Sequence, residues 1–223
     1  MTNTKAVYDD IKELILNMSL KPGEFVSEAI LAKKLNVSRT PIREALKRLE
    51  QEGLIIADGR RKRVFILTLR DLEEIFDLKK IIEPEITKLA IARGKEEDFQ
   101  RLAKTIEELE ALAKERPKDE IGKEQWFRSW FKKDKEFHDI IFEMAKNRRA
   151  KQIVENLNSQ WHRLRIGIDA IEGRIEKSLE EHKAIALGIL NRNPEEAEIA
   201  MIEHLKNLYN SVAVLMKLFH FPE

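Results

Sequence analysis

The sequence predicts a mainly α-helical protein in two parts, a three-helix unit closed by a β-hairpin and then a longer antiparallel helical bundle. Three observations predict it. Apolar residues recur at helical spacing over most of the 223 residues, two short β-branched runs flank Asp58-Gly59, and Thr68 opens a second helical region. The chain is 43% hydrophobic and 36% charged, a composition typical of an ordered globular protein.

The N-terminal unit is predicted from its periodicity and its breakers. The expected elements are helices over 6–17, 27–35 and 39–52 and strands over 54–56 and 64–67. In the second helix, Ile30 and Leu31 are expected to point inward. Three helices followed by a β-hairpin make a winged helix-turn-helix, which we assign to residues 1–68.

The second part, residues 69–223, is predicted to be an all-helical domain that binds an effector and forms the dimer. The expected helices cover 69–93, 96–114, 122–146, 149–171, 174–191 and 195–218. Bundles of this kind commonly hold ligands between facing helices.

Composition and charge exclude several classes of protein. The absence of cysteine excludes disulfides and thiolate chemistry. No apolar run approaches the ~20 residues that cross a bilayer, and the N-terminus has no apolar signal core, so we expect no membrane partner and a cytoplasmic location.

Residues 1–67 carry 13 Lys and Arg against 9 Asp and Glu, whereas the remainder is slightly acidic. A basic head on an acidic domain is typical of a nucleic-acid binder with a separate sensor.

The third helix has the pattern of a DNA-recognition helix. Its apolar stripe consists of Ile42, Ala45, Leu46 and Leu49. Another face carries Arg39, Thr40, Arg43 and Lys47, which can reach phosphates or base edges. For any single cation, a solvated surface role remains the alternative.

The hairpin adds a second basic group. Gly59 allows close backbone approach at the tip, and Arg60, Arg61, Lys62 and Arg63 follow it. Such cations can track a minor groove or the flanking phosphates.

Three histidines and one aspartate predict a buried metal site in the bundle. Asp134 and His138 are spaced i, i+4, and His182 and His204 lie on apolar helix faces. Three imidazoles and a carboxylate suit Zn, Ni, Mn or Fe. The alternative is a set of hydrogen-bonded core histidines. The remaining two, His162 and His220, are predicted to be surface residues.

The segment from Val37 to Leu46, Val-Ser-Arg-Thr-Pro-Ile-Arg-Glu-Ala-Leu, resembles the GntR family of bacterial transcription regulators. The resemblance implies that Arg39 and Arg43 contact DNA and that Gly59 approaches the minor groove. Some relatives have an arginine where this chain has Ala29, so that contact is not expected here.

The helical part resembles the FadR-type branch of that family, with its all-helical effector (FCD) domain. The resemblance rests on Asp-Lys-Glu-Phe-His at 134–138, Glu-His at 181–182 and Glu-His-Leu at 203–205. It implies that Asp134, His138, His182 and His204 hold a divalent transition metal, and that a small organic acid binds the metal through its carboxylate.

Three side chains are candidates for contacts to that acid. Many relatives have arginine where this chain has Lys79, and an ammonium group cannot form the bidentate fork of a guanidinium. Arg163 and Arg165 are possible substitutes.

The resulting hypothesis is a homodimeric regulator, expected to be a repressor, whose affinity for a palindromic operator responds to the acid. A repressor that senses the metal itself is an alternative. A structural metal that only stabilises the bundle is a second alternative, and a His/Asp metalloenzyme is a third. Against the enzyme, Glu136, Glu181 and Glu203 are expected to be turned away from the ligands by helix geometry.

Overall fold

The computed structural model describes residues 4–117, 119–161, 164, 171 and 173–222. In this part of the chain, a winged helix-turn-helix precedes an antiparallel helical bundle, as the sequence predicts. The N-terminal elements are α1 (Thr4–Leu16), β1 (Phe25–Val26), α2 (Glu28–Lys34), α3 (Arg39–Gln51), β2 (Ile55–Asp58) and β3 (Arg61–Val64). The bundle comprises α4 (Leu69–Arg93), α5 (Glu96–Lys114), α6 (Glu120–Ala145), α7 (Arg148–Trp161), α8 (Arg174–Leu190) and α9 (Pro194–Leu218).

The wing differs from the prediction in its register. Asp58 pairs with Arg61, so the turn is only Gly59–Arg60, and the basic residues that follow lie in a strand instead of a loop. Gly59 has φ +61°, which suits the first position of a two-residue hairpin turn. The third strand, β1, pairs antiparallel with β3 and was not predicted, because two residues are too short for a period-2 pattern.

One predicted burial is wrong, and one predicted helix is described only in part. Ile30 was expected to be buried, but it is 68% exposed, and only Leu31 of α2 is fully enclosed. The helix predicted over 149–171 is observed as α7, and of its continuation only Leu164 and Ile171 belong to the described residues.

Two separate hydrophobic cores organise the chain. The first runs from Val7 to Val64, and the second runs from Leu67 to Met216. Between them, Thr68 begins α4 with a capping box, in which its side chain accepts from Asp71 N while the Asp71 carboxylate accepts from Thr68 N. This box satisfies backbone donors at the start of α4. It lies beside the proposed domain boundary.

Within the bundle, α4 and α9 pack as antiparallel neighbours. Phe76 contacts Tyr209 edge-on at one end, and Lys88 pairs with Glu198 at 3.1 Å toward the other. Among the described residues, no helix is both long enough and apolar enough to span a membrane.

The helices α8 and α9 approach each other closely at Gly188. A Cβ built on Gly188 would lie 2.5 Å from the backbone nitrogen of Ala197 and 2.8 Å from its Cα. Glycine is therefore required at this position by packing.

We expect Gly188→Ala to destabilise the bundle. The better helix propensity of alanine is worth only about 1 kcal/mol, whereas overpacking against a backbone costs roughly 1–3 kcal/mol. Thermal unfolding followed by circular dichroism should show a lower melting temperature. Leu187→Ala is the control, because Leu187 is exposed. An unchanged or higher melting temperature for Gly188→Ala would contradict this packing.

Candidate functional site

The recognition helix α3 separates its two faces cleanly. Its apolar stripe is essentially inaccessible to solvent, with Ile42, Ala45, Leu46 and Leu49 each at most 1% exposed. The predicted DNA-contacting residues Arg39, Thr40, Arg43 and Lys47 are all exposed. The core of the domain thus fixes a cationic face toward solvent.

Arg43 is paired with an acidic neighbour on α2. Its Nε and Nη2 donate to the Glu28 carboxylate at 3.1–3.3 Å. Both side chains are accessible, so the pair is weak and exchangeable. Arg43 can therefore leave Glu28 for a phosphate or a base edge.

The cations of the wing fall into two pairs. Arg60 and Arg61 are exposed, and the Arg61 guanidinium lies 5.3 Å from the centroid of the Phe25 ring. Lys62 and Arg63 are half-buried and paired, with Glu50 and Asp58 respectively. This division leaves Arg60 and Arg61 as the more accessible cations of the wing.

In the bundle, three histidines from three helices converge. His138 of α6, His182 of α8 and His204 of α9 each offer a ring nitrogen, and these three atoms lie within 4.8 Å of one another. The ring centroids are 4.9–5.3 Å apart. We refer to these three residues as the histidine cluster.

Asp134 lies beside the histidine cluster. Its Oδ1 is 3.5 Å from His182 Nε2, and the residue is 7% exposed. The structure therefore brings together all four residues that the sequence suggested as metal ligands.

His204 is oriented by an acidic residue that the sequence analysis misjudged. His204 Nδ1 lies 2.9 Å from Glu181 Oε2, which leaves Nε2 for the cluster. Glu181 was expected to face away, because the prediction considered only the helix that carries it. It does turn away from His182, but toward His204 on the neighbouring helix. Glu136 and Glu203 are exposed, as predicted.

The histidine cluster fits a divalent metal ion. Burial is the main cause that lowers the pKa of His138 to about 3, so its imidazole is neutral at physiological pH, the form that binds metals. The nitrogen ligands of a tetrahedral zinc ion lie about 3.3 Å apart, so small ring rotations would suffice from the observed separations. A carboxylate on the outer nitrogen of a ligating histidine, like that of Glu181, is characteristic of such sites.

Lys79, a candidate effector contact, is buried in an ion pair. Its Nζ lies 2.7 Å from Glu83 Oε1 and donates to Asn158 Oδ1 at 2.6 Å. Burial acts to raise the pKa of Glu83, but the charge and hydrogen bond of Lys79, together with His138 and His204, outweigh it, so the pKa is lowered. The other two candidates, Arg163 and Arg165, lie outside the described residues.

Arg174, which the sequence analysis did not single out, is also buried here. It is 4% exposed, and its Nη2 donates to Glu181 Oε2 at 3.1 Å. Nothing in the spacing of α8 distinguishes it from a surface arginine, because its environment is made by other helices. For Glu83, by contrast, the i, i+4 spacing from Lys79 is a sequence pattern from which their ion pair could have been predicted.

A cavity of about 390 Å³ connects these groups. Its lining includes His138, His204, Lys79 and Arg174. Its wall also includes Lys12 and Leu16 of α1, so the cavity extends from the histidine cluster to the DNA-binding domain.

The two domains also meet where the recognition helix ends. Gln160 of α7 donates to the backbone carbonyl of Glu52, the residue that caps α3. The Glu52 carboxylate in turn accepts from Lys12 and Tyr8. A Cβ on Gly53 would lie 2.9 Å from Gln160 Nε2, so glycine permits this contact.

The chain is similar to known proteins over most of its length. Residues 3–65 match the model for bacterial regulatory proteins of the gntR family, and residues 74–207 match the FCD domain. The HTH-type transcriptional regulator YdhC of Bacillus subtilis is 32% identical, with 90% of this chain and 86% of that protein covered. The transcriptional repressor RspR of Escherichia coli is 24% identical, with 92% and 87% covered.

A solved structure shares the fold. The structure of Escherichia coli McbR/YncC aligns with a TM-score of 0.72 at 20% identity, over 98% of this chain and 100% of that one. YdhC and RspR are both named as transcription regulators, which favours regulation over the metalloenzyme alternative. The chain is therefore a transcription regulator of the GntR family, with a helix-turn-helix domain and an FCD domain.

Proposed function

We propose that this regulator is a cytoplasmic homodimeric repressor whose affinity for its operator changes when a small organic acid binds a metal in the bundle. The observation that carries the proposal is the cavity, because its lining includes His138 and His204 of the histidine cluster and also Lys12 and Leu16 of α1. RspR, a relative that matches 92% of this chain, is named as a repressor.

Occupancy of the cavity has a contact route to the recognition helix. Lys79 bonds to Asn158 of α7, and Gln160 on the same helix bonds to the cap of α3. An acid that displaced Lys79 or α7 would change how α3 is held. The acid can shift DNA affinity only by as much as it binds the two arrangements differently.

The homodimer is supported by an apolar face on α4 and α9. Leu78 and Ile81 of α4 and Ile199 and Ile202 of α9 are exposed large apolar side chains on neighbouring antiparallel helices. A second copy related by two-fold symmetry would bury such a face and present two recognition helices to a palindromic operator.

The metal-sensing alternative remains distinct in its consequences. If the ion were the signal, adding metal alone would change DNA affinity. On our proposal the metal holds the acid, so the large change requires both. If the metal only stabilised the bundle, its removal would lower the melting temperature, and acids would leave the DNA affinity unchanged.

Arg43→Ala should weaken binding to the DNA upstream of the gene by roughly 1–3 kcal/mol, because a phosphate or base contact is lost. Fluorescence anisotropy titration at low salt measures this affinity. Arg192→Ala, an exposed arginine in the bundle, is the matched control. Glu28→Gln should leave affinity equal or a few-fold higher, since it frees Arg43. Equal affinities for wild type and Arg43→Ala would contradict the assignment.

His204→Ala should abolish stoichiometric binding of Zn²⁺, measured by isothermal titration calorimetry on chelator-treated protein. Glu181→Gln should weaken binding about 10–100-fold, because the outer nitrogen of His204 loses its carboxylate. His220→Ala should bind like wild type, since His220 is exposed. If His204→Ala bound Zn²⁺ as tightly as wild type, the histidine cluster would not be the metal site.

A further inference from the structure

Five buried charged side chains surround the cavity and the histidine cluster, whereas the other charged lining residues are more exposed to solvent, namely Lys12, Lys135, Asp139, Lys151 and Glu155. Lys79 and Arg174 are cations, and Glu83, Asp134 and Glu181 are anions. Each side chain is no more than 10% exposed. Because solvent does not screen them well, their charges must be balanced locally.

These five charges sum to −1, since two cations face three anions, and imidazoles that bind a metal do so as neutral ligands. A divalent ion in the histidine cluster brings the sum to +1. One further negative charge then makes the region neutral, whereas two leave an anion without a cation. Burying an uncompensated charge is strongly unfavourable.

Arg174 supplies a directional contact as well as a charge. Its Nη2 is used by Glu181, but its Nε and Nη1 are buried and have no hydrogen-bond partner among the described residues. Arg174 lines the cavity, and Glu181 Oε2 joins it to His204. A ligand oxygen placed near the histidine cluster would therefore meet an unused guanidinium donor.

The rest of the inner wall suits a carbon skeleton. Trp130, Phe142 and Trp161 contribute apolar surface to the cavity. The site therefore combines a single excess positive charge, an unused donor and an apolar wall.

We propose that the cavity selects organic acids with one negative charge, whose carboxylate faces the histidine cluster and whose neutral oxygen accepts a hydrogen bond from Arg174. This selectivity rests on the proposed function, because it requires the metal and the acid at the same site. It assigns to Arg174 the recognition role that the sequence suggested for Lys79, which is occupied by Glu83 and Asn158.

Isosteric pairs of acids test the charge directly. Succinate and succinamate, or glutarate and glutaramate, have nearly the same shape and differ by one charge. Binding to the full-length Zn²⁺-loaded protein can be followed by tryptophan fluorescence, because Trp130 and Trp161 line the cavity. We expect each monoamide to bind at least tenfold more tightly than its dicarboxylate.

Two substitutions should change this preference in opposite ways. Glu83→Gln removes one buried negative charge, so it should raise the affinity for the dicarboxylate relative to the monoamide by tenfold or more. Glu85→Gln, at an exposed site on the same helix, should leave the ratio unchanged. Arg174→Met should weaken the monoamide at least tenfold, and Arg174→Lys should weaken it less because the charge is kept. Melting temperatures and Zn²⁺ stoichiometry identify the variants that retain the fold and the metal.

The outcomes separate the two levels of the proposal. If dicarboxylates bind as tightly as their monoamides, or if Glu83→Gln leaves the ratio unchanged, the single-charge rule is overturned while the acid-sensing function stands. If monoamides bind more tightly than dicarboxylates, but the folded variants Arg174→Met and Arg174→Lys both bind monoamides like wild type, the role of Arg174 is overturned. If no acid of the set binds the Zn²⁺-loaded protein, both the selectivity and the acid-sensing function fail.

Discussion

The electrostatic constraint that shapes the bundle is the burial of ionisable groups between its helices. Glu181 illustrates it, because one carboxylate oxygen accepts from Arg174 and lies beside His204 Nδ1. Removing either partner would leave the other buried and incompletely paired, which is costly. The placement of α6, α8 and α9 around the histidine cluster is therefore fixed by polar pairing as well as by packing. In our account, a metal and an acid complete this balance.

The DNA-binding domain depends on the bundle through a small contact. Its own core positions the cationic face of α3, but the end of that helix is held by Gln160 through the carbonyl of Glu52. The same Glu52 side chain fixes Lys12, which forms part of the cavity wall. Burial opposes ionisation of Glu52, yet the hydrogen bonds from Lys12 and Tyr8 lower its pKa, so it remains a carboxylate. A change in the cavity can thus reach α3 through a few polar contacts.

Local patterns predicted the helices, the wing and the inward orientation of Asp134, His138, His182 and His204, because apolar periodicity reports which face a side chain occupies. The sequence did not predict Arg174 as a buried cation or Glu181 as the partner of His204, since both depend on which helices become neighbours. The hairpin register was also missed. Shifting the strand to Arg61–Val64 places Lys62 and Arg63 against Glu50 and Asp58, which no single-strand pattern reveals.

The central claim is that the cavity and the DNA-binding face are energetically coupled through α7. Linkage requires that an acid change DNA affinity by the same factor by which DNA changes acid affinity. Both factors can be measured by titration of the Zn²⁺-loaded protein, for wild type and Gln160→Ala, with Gln125→Ala as an exposed control. Our account predicts equal factors different from one in wild type and in the control, and factors close to one in Gln160→Ala with each separate affinity retained. Factors of one in wild type, or an unchanged coupling in Gln160→Ala, would contradict it.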